Sequence, residues 1–112
     1  SAFDKDVLTA DKVIIIGYSF GDEHINEALK IALRYNPNLI LEVVDNSFNR
    51  NIMDAKLAML YQAYTGFNNL NPKQIIKDQF SYFDGRIVAY NMSFSNYLEL
   101  MFKREIKNIK KI

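Results

Sequence analysis

The sequence predicts an α/β fold in three layers, with a mostly parallel sheet of about three strands. Apolar runs rich in β-branched residues occur at Val13–Ile16, Leu39–Val44 and Arg86–Tyr90, and runs without polar alternation are typical of strands covered on both faces. Segments with helical spacing separate these runs, and this order favours parallel strands joined by helical crossovers. Three such strands make half of a doubly wound, Rossmann-like domain.

The helices are predicted from apolar residues at helical spacing and from end signals. Asp22 is a favourable N-cap for the helix after the first strand, because its carboxylate can accept bonds from the first N–H groups. Asn36-Pro37 ends that helix. The other predicted elements are helices over Phe3–Ala10 and Asn51–Tyr64, one or two helical turns at Pro72–Lys77, a tight turn at Asp84-Gly85, and a last helix from Ser95 or Asn96 to about Lys110.

Composition limits the classes of protein to consider. The 112 residues suit one compact domain spanning residues 1–112. The net charge of +1 argues against a dedicated nucleic-acid binder, and the lack of cysteine excludes disulfides, zinc ribbons and thiol catalysis. No apolar run approaches the ~20 residues that span a bilayer, and no signal peptide is visible. We expect a cytoplasmic protein with no nucleic-acid or membrane partner.

The residues Gly17-Tyr18-Ser19-Phe20-Gly21 connect the first strand to the following helix. A strand, a glycine loop and a helix present free backbone N–H groups and the positive helix end to an anion. Gly17 and Gly21 allow the backbone to turn tightly and to approach a ligand, and Ser19 adds a hydroxyl. The loop is therefore a candidate for holding a nucleotide phosphate.

Asp45 and Asn46 end the second strand, on the edge of the sheet where ligands of open α/β folds bind. Asp45 follows Gly21 by 24 positions, and an acidic residue about 20 positions after a phosphate loop commonly binds the adenosine ribose hydroxyls. The full G-x-G-x-x-G fingerprint is absent. A second interpretation stays open, in which the loop only joins a strand to a helix and Asp45 only caps a turn.

The loop also matches the G-x-S-x-G nucleophile elbow of serine hydrolases. Such an enzyme needs an acid and then a later histidine. Asp45 supplies an acid, but His24, the one histidine of the sequence, precedes it. Asp22 and Glu23 would also place negative charge near a developing oxyanion. These two features disfavour the hydrolase interpretation.

His24 is also a weak metal ligand by pattern. It has no second histidine four positions later, and its neighbours Asp22 and Glu23 do not share its helix face. We expect His24 and Asn26 to hold the loop through hydrogen bonds, or His24 to lie at the rim of a pocket. The sequence thus predicts neither a metal site nor a catalytic residue.

The run from Val13 through the loop to Asn26 resembles the bacterial sirtuin-like NAD-binding family, which includes the NAD-consuming domains of antiphage defence proteins. The resemblance continues through Leu41–Asp45, is weaker over Arg86–Tyr97, and covers only the C-terminal part of a sirtuin-like domain. It implies that the parent protein binds NAD, with this chain as the portion that binds ADP-ribose. The residues expected to contact NAD are Gly17, Tyr18, Ser19, Phe20 and Asp22 in the loop, Asp45 or Asn46 at the adenosine ribose, and Asn91 and Met92 near the adenine.

The sequence also departs from that family. The N-terminal Gly-Ala-Gly motif, the asparagine and histidine that act near the nicotinamide, and the zinc cysteines have no counterpart here. The resemblance therefore implies the ADP-ribose-binding portion of a parent protein, inactive alone. That parent is expected to be an NAD hydrolase, or alternatively a deacylase. The other candidate is a non-catalytic interaction module in which Tyr18 and Phe20 fill the cleft.

The chain starts at Ser1-Ala2 without a methionine, as expected for a piece of a longer protein. In that case the strand Val13–Gly17 loses its outer partner, and an exposed β-branched edge invites pairing with another chain. We therefore expect a homodimer, a swapped assembly, or association with the N-terminal half of the domain.

Overall fold

The computed structural model describes residues 2–47, 49–65 and 72–108. In these ranges the chain forms four helices and five strands, which confirms the α/β class. The end predicted for the last helix, near Lys110, lies outside the described residues. The helices are α1 (Ala2–Thr9), α2 (Glu23–Tyr35), α3 (Arg50–Thr65) and α4 (Phe94–Asn108), and the strands are β1 (Lys12–Ile16), β2 (Ile40–Val44), β3 (Lys73–Ile76), β4 (Gln79–Tyr82) and β5 (Ile87–Tyr90).

The strands form one mixed sheet in the order β1-β2-β5-β4-β3. β1, β2 and β5 are parallel, with Val13 opposite Leu41 and Leu41 opposite Ile87. β4 is antiparallel to both β5 and β3. The prediction of a mostly parallel sheet of about three strands is therefore wrong, because an antiparallel hairpin extends the three strands that were predicted.

The β3–β4 hairpin stands where the sequence predicted helical turns at Pro72–Lys77. Its strands contain Ile75-Ile76 and Phe80-Ser81-Tyr82, on either side of a turn at Lys77-Asp78. β-branched and aromatic residues fit a pleated surface, and β4 pairs with β5 along its whole length. The sequence signal is weak because this turn lacks the glycine or asparagine that marks most short hairpins.

Side chains along each strand alternate between two faces of the sheet. The core face packs against α1, α2 and α3 and carries Val13, Ile15, Leu41, Val43, Phe80, Tyr82, Ile87 and Ala89. The opposite face, here called the α4 face, carries Lys12, Ile14, Ile16, Glu42, Val44, Val88 and Tyr90. Tyr97 of α4 packs on this second face against Val44 and Tyr90.

β1 lies at the edge of the sheet and is covered on one face only. The prediction that it is covered on both faces is wrong, since Ile14 and Ile16 on the α4 face are 43% and 51% exposed. α4 packs over the neighbouring strands β2 and β5. A continuous apolar run indicates a strand but does not tell which faces of it are covered.

Helix ends follow capping rules, with one correction. Asp22 caps α2 as predicted. α4 begins before Ser95 and Asn96, the two predicted caps. Its cap is Ser93, whose Oγ accepts a hydrogen bond from the Asn96 N–H at 3.1 Å. Among the described residues, no helix is long and apolar enough to cross a membrane.

Arg86 stabilises the end of the sheet at which the parallel strands begin. Its guanidinium donates hydrogen bonds to the carbonyls of Leu33, Asn36 and Leu39 at 3.0, 2.9 and 2.9 Å. Two of these carbonyls lie at the C-terminal end of α2, where cationic side chains are stabilising. The amino ends of these strands therefore have a structural role. Their carboxyl ends lie at the opposite end of the sheet.

Candidate functional site

The carboxyl ends of β1, β2 and β5 place three predicted site residues in a row. The Gly17 N–H donates to the Val44 carbonyl at 2.9 Å, and the Asp45 N–H donates to the Tyr90 carbonyl at 3.1 Å. Gly17 therefore follows β1 beside Asp45, and Asp45 lies beside Asn91, the residue after β5. This confirms the prediction that the Gly17–Gly21 loop and Asp45-Asn46 share one edge of the sheet.

Gly17 adopts a backbone conformation that favours glycine. Its φ is +62°, and a Cβ built there would meet nothing within 4 Å. Phe20 is also left-handed, with φ of 62°, whereas Gly21 has no positive φ and a Cβ there would lie 3.4 Å from Ser19 Oγ. The tight turn is thus made at Gly17 and Phe20, and the space beside Gly17 is open.

Asn26 holds the loop from inside, as predicted. Its side chain is almost fully buried, and its Nδ2 donates to the Phe20 carbonyl at 2.9 Å. The Tyr18 hydroxyl lies 2.8 Å from Asn26 Oδ1. The rings of Tyr18 and Phe20 are 4.7 Å apart, and Phe20 belongs to the buried core. Both aromatic side chains of the loop therefore pack against the protein.

The N-terminus of α2 is already occupied by a carboxylate. Asp22 Oδ1 accepts hydrogen bonds from the N–H groups of His24 and Ile25 at 2.9 and 3.2 Å. These are the groups that the sequence pattern would offer to a phosphate. These two N–H groups are consequently not available to an anion at the loop.

Lys56 is the loop contact that sequence reasoning missed. It lies on α3, and its Nζ donates to the Ser19 carbonyl at 2.6 Å. The two residues are 37 positions apart, so no local motif connects them. The available signal was slight: Lys56 borders the buried stripe of Met53, Leu57 and Leu60 on α3.

Asp45 forms a turn with its own neighbour. Asp45 Oδ1 accepts from both the N–H and the hydroxyl of Ser47, each at 2.9 Å. Asp45 is half-buried and Asn46 is exposed. The carboxylate is therefore held in place by this turn, as the turn-capping interpretation expected.

Asn91 and Met92 directly follow β5, at the carboxyl end of that strand. The Asn91 N–H donates to the Asp78 carbonyl at 2.8 Å, so it adjoins the β3–β4 turn. Met92 packs against the cluster of Val44, Tyr90 and Tyr97. It also lines a cavity of about 330 Å³ between that turn and α4, together with Ile76, Lys77, Asp78, Asn96, Glu99, Leu100 and Lys103.

His24 faces a different part of the molecule. Its Nε2 lies 3.7 Å from Asp4 Oδ1 of α1, and it lines a cavity of about 240 Å³ between α1 and α2. His24 thus lines a cavity formed with α1, and this cavity includes none of the residues Gly17, Asp45 and Asn91. Within the described ranges, histidine and acidic side chains form no group of three suited to a metal ion.

Comparisons with known proteins identify no family for this chain. No family model matches the chain, and neither a curated protein nor a solved structure is similar enough to be matched.

Proposed function

We propose that this chain binds the ADP-ribose part of NAD and forms the binding portion of a sirtuin-like NAD hydrolase. The observation that carries the proposal is the row of Gly17, Asp45 and Asn91 at the carboxyl ends of three adjacent parallel strands. Ligands of open α/β sheets bind at this edge. The hydrolytic step belongs to the parent protein, because no residue of this sequence corresponds to the asparagine and histidine that the resemblance places near the nicotinamide.

In this proposal, each strand end binds one part of the nucleotide. Asp45 takes the ribose, since a carboxylate accepts the two hydrogen bonds that a diol donates. Met92 and Asn91 take the adenine. The cavity beside Met92 supports this assignment, because Ile76 and Leu100 add apolar walls and Asn96 adds an amide, as in most small-molecule sites. Gly17 and Ser19 approach the phosphates.

Calorimetric titration of the chain with ADP-ribose tests the proposal. We expect weak but measurable binding that Asp45→Asn weakens about tenfold, because Asn keeps the Ser47 turn and loses the charge. Asp11→Ala is the matched control, since Asp11 is an exposed acid at the amino end of β1, far from the carboxyl ends of the strands. Lack of any binding, or equal binding by Asp45→Asn and the unaltered chain, would refute the proposal.

A non-catalytic interaction module is the second candidate. Two observations favour it: Phe20 is 6% exposed and packs in the core, and Asp22 occupies the N-terminus of α2. Both features reduce the space and the donors available to a phosphate. The same titration decides between the two, because a module that has lost its ligand gives no heat with ADP-ribose.

We also propose that β1 pairs with another chain, either a second copy or the N-terminal half of the domain. The Gly17 N–H and the Asp11 carbonyl bond to β2, so alternation directs the N–H and C=O groups of Lys12, Ile14 and Ile16 away from it. An antiparallel second copy would place Ile14 opposite Ile14 and satisfy these groups reciprocally.

Light scattering at high concentration tests the pairing with a second copy. We expect a dimer that Ile14→Lys converts to a monomer, because a lysine on each copy would place like charges opposite one another. Ile75→Lys is the control, since Ile75 is 49% exposed on β3 at the other edge of the sheet. A monomer in the unaltered chain would contradict the dimer.

A further inference from the structure

The loop needs a source of positive charge other than the end of α2. Asp22 Oδ1 accepts from the N–H groups of His24 and Ile25, the second and third residues of the helix, and Glu23 adds a second exposed acid. A diphosphate carries negative charge and would be repelled by these carboxylates. Its binding therefore requires a cation brought to the loop from another element.

Lys56 of α3 brings such a cation. Its ammonium lies 2.6 Å from the carbonyl oxygen of Ser19. A carbonyl is neutral, so this bond orients the ammonium without neutralising it, and it uses one of the three donors. Lys56 is half-buried and stands beside Met53 and Leu57, which are 3% and 0% exposed. Its aliphatic stem can therefore lie along apolar surface while the charge stays at the loop.

Ser19, the residue that Lys56 contacts, carries a hydroxyl that can act as a second donor. Its carbonyl accepts from Lys56, and its residue is exposed. Open space beside Gly17, two positions earlier, leaves room for a ligand to approach the backbone. Lys56 is bound to this exposed serine, so an ammonium and a hydroxyl belong to the same short stretch of the loop. Donors of these two kinds match the oxygens of a phosphate group, for which charge-assisted hydrogen bonds are strong.

We propose that Lys56 Nζ and Ser19 Oγ form an anion subsite that holds the diphosphate of the bound nucleotide. This inference rests on the proposed function and adds the residue that provides its charge. Lys56 is a binding residue in this role, and Asp22 opposes it. The affinity of the loop for a diphosphate thus reflects a balance between one fixed cation and the acids at the start of α2.

Titration of Lys56→Gln with ADP-ribose, adenosine and inorganic pyrophosphate tests the subsite. We expect about tenfold or greater weakening for ADP-ribose and pyrophosphate, because a charge-assisted bond is lost, and no change for adenosine. The dependence of log Kd on log salt should become shallower, and Lys56→Arg should restore part of the affinity. Lys73→Gln, on the exposed strand β3, is the control and should change none of these.

Different results separate the possible failures. If Lys56→Gln binds ADP-ribose as the unaltered chain does, the subsite is wrong and the proposed function stands. If it weakens adenosine and ADP-ribose equally while lowering Tm, Lys56 is only structural and the inference is wrong. If the unaltered chain binds neither ADP-ribose nor pyrophosphate, both the function and the subsite are wrong.

A second variant tests the balance from the other side. Asp22→Asn keeps a good N-cap and removes the negative charge from the loop. We expect ADP-ribose to bind about twofold to fivefold more tightly, as for a charge near a helix end. Unchanged or weaker binding with an unchanged Tm would show that Asp22 does not oppose the anion and would overturn this part of the inference.

Discussion

The two faces of the sheet are built differently from the same strands. Three helices cover the core face, where Leu41, Val43 and Ile87 are fully buried. Among the described elements, only α4 covers part of the other face. There, Glu42 is 3% exposed and lies 2.8 Å from Lys12 Nζ. The Tyr97 hydroxyl donates to the same carboxylate at 2.7 Å.

The width of a helix explains the difference. A helix with its side chains is about 10 Å across, and neighbouring strands lie about 4.8 Å apart. One helix therefore covers about two strands, which here are β2 and β5, and the isoleucines of β1 remain exposed. The Glu42 carboxylate lies where the cover by α4 ends. It can be buried there because Tyr97 and the partly exposed Lys12 both pair with it.

The largest expected effect on the free energy of unfolding comes from comparing one isoleucine on each face of the sheet. Ile87→Ala on the core face should lower the free energy of unfolding by about 2–5 kcal/mol, because it leaves a cavity. Ile16→Ala, at a site 51% exposed on the α4 face, should lower it by less than about 1 kcal/mol. Urea denaturation measures both. Equal losses would mean that the α4 face of β1 is covered in solution.

The buried polar group on the α4 face should give a smaller effect. Tyr97→Phe removes one donor from the Glu42 carboxylate, and we expect a loss of about 1–3 kcal/mol in unfolding free energy. Tyr35→Phe, at a site 67% exposed, is the control and should have almost no effect. A neutral result for Tyr97→Phe would indicate that water reaches Glu42 and that this face is wetter than its exposure suggests.

The stability of the protein at alkaline pH reports how well each face of the sheet excludes water. Burial raises the pKa of Tyr82 on the core face, helped by its hydrogen bond to Asp54, and burial followed by the bond to Glu42 raises the pKa of Tyr97. The unfolded chain loses these protons near pH 10 while the folded chain keeps them. Stability is therefore fully present below about pH 10 and falls above it, by up to about 1.4 kcal/mol per pH unit for each tyrosine.

Denaturation between pH 9 and pH 11 checks this dependence. Tyr82→Phe and Tyr97→Phe should each make the decline shallower, because each removes one group with a raised pKa. If one variant retains the slope of the unaltered chain, the tyrosine on that face is accessible to solvent in the folded state.

Local signals predicted the part of the candidate site that lies along one stretch of chain. The apolar run before Gly17, the cap at Asp22 and the end of β2 at Asp45 are each encoded within a few residues, and the structure places them as expected. Lys56 could not be predicted in this way, because its contact with Ser19 depends on how α3 packs beside the loop. The occupation of the α2 end by Asp22 follows from the cap itself, which the sequence already indicated.

The sequence by itself determined the parallel strand–helix–strand unit, because β-branched runs, helical spacing and caps act over short distances. Tertiary structure decided which neighbours each strand has. It added the β3–β4 hairpin, whose turn carries no strong signal, and placed β1 at the edge with one face open. It also brought Lys56 to the loop. Burial and long-range contacts depend on the packing of whole elements, and residue patterns along one element do not specify that packing.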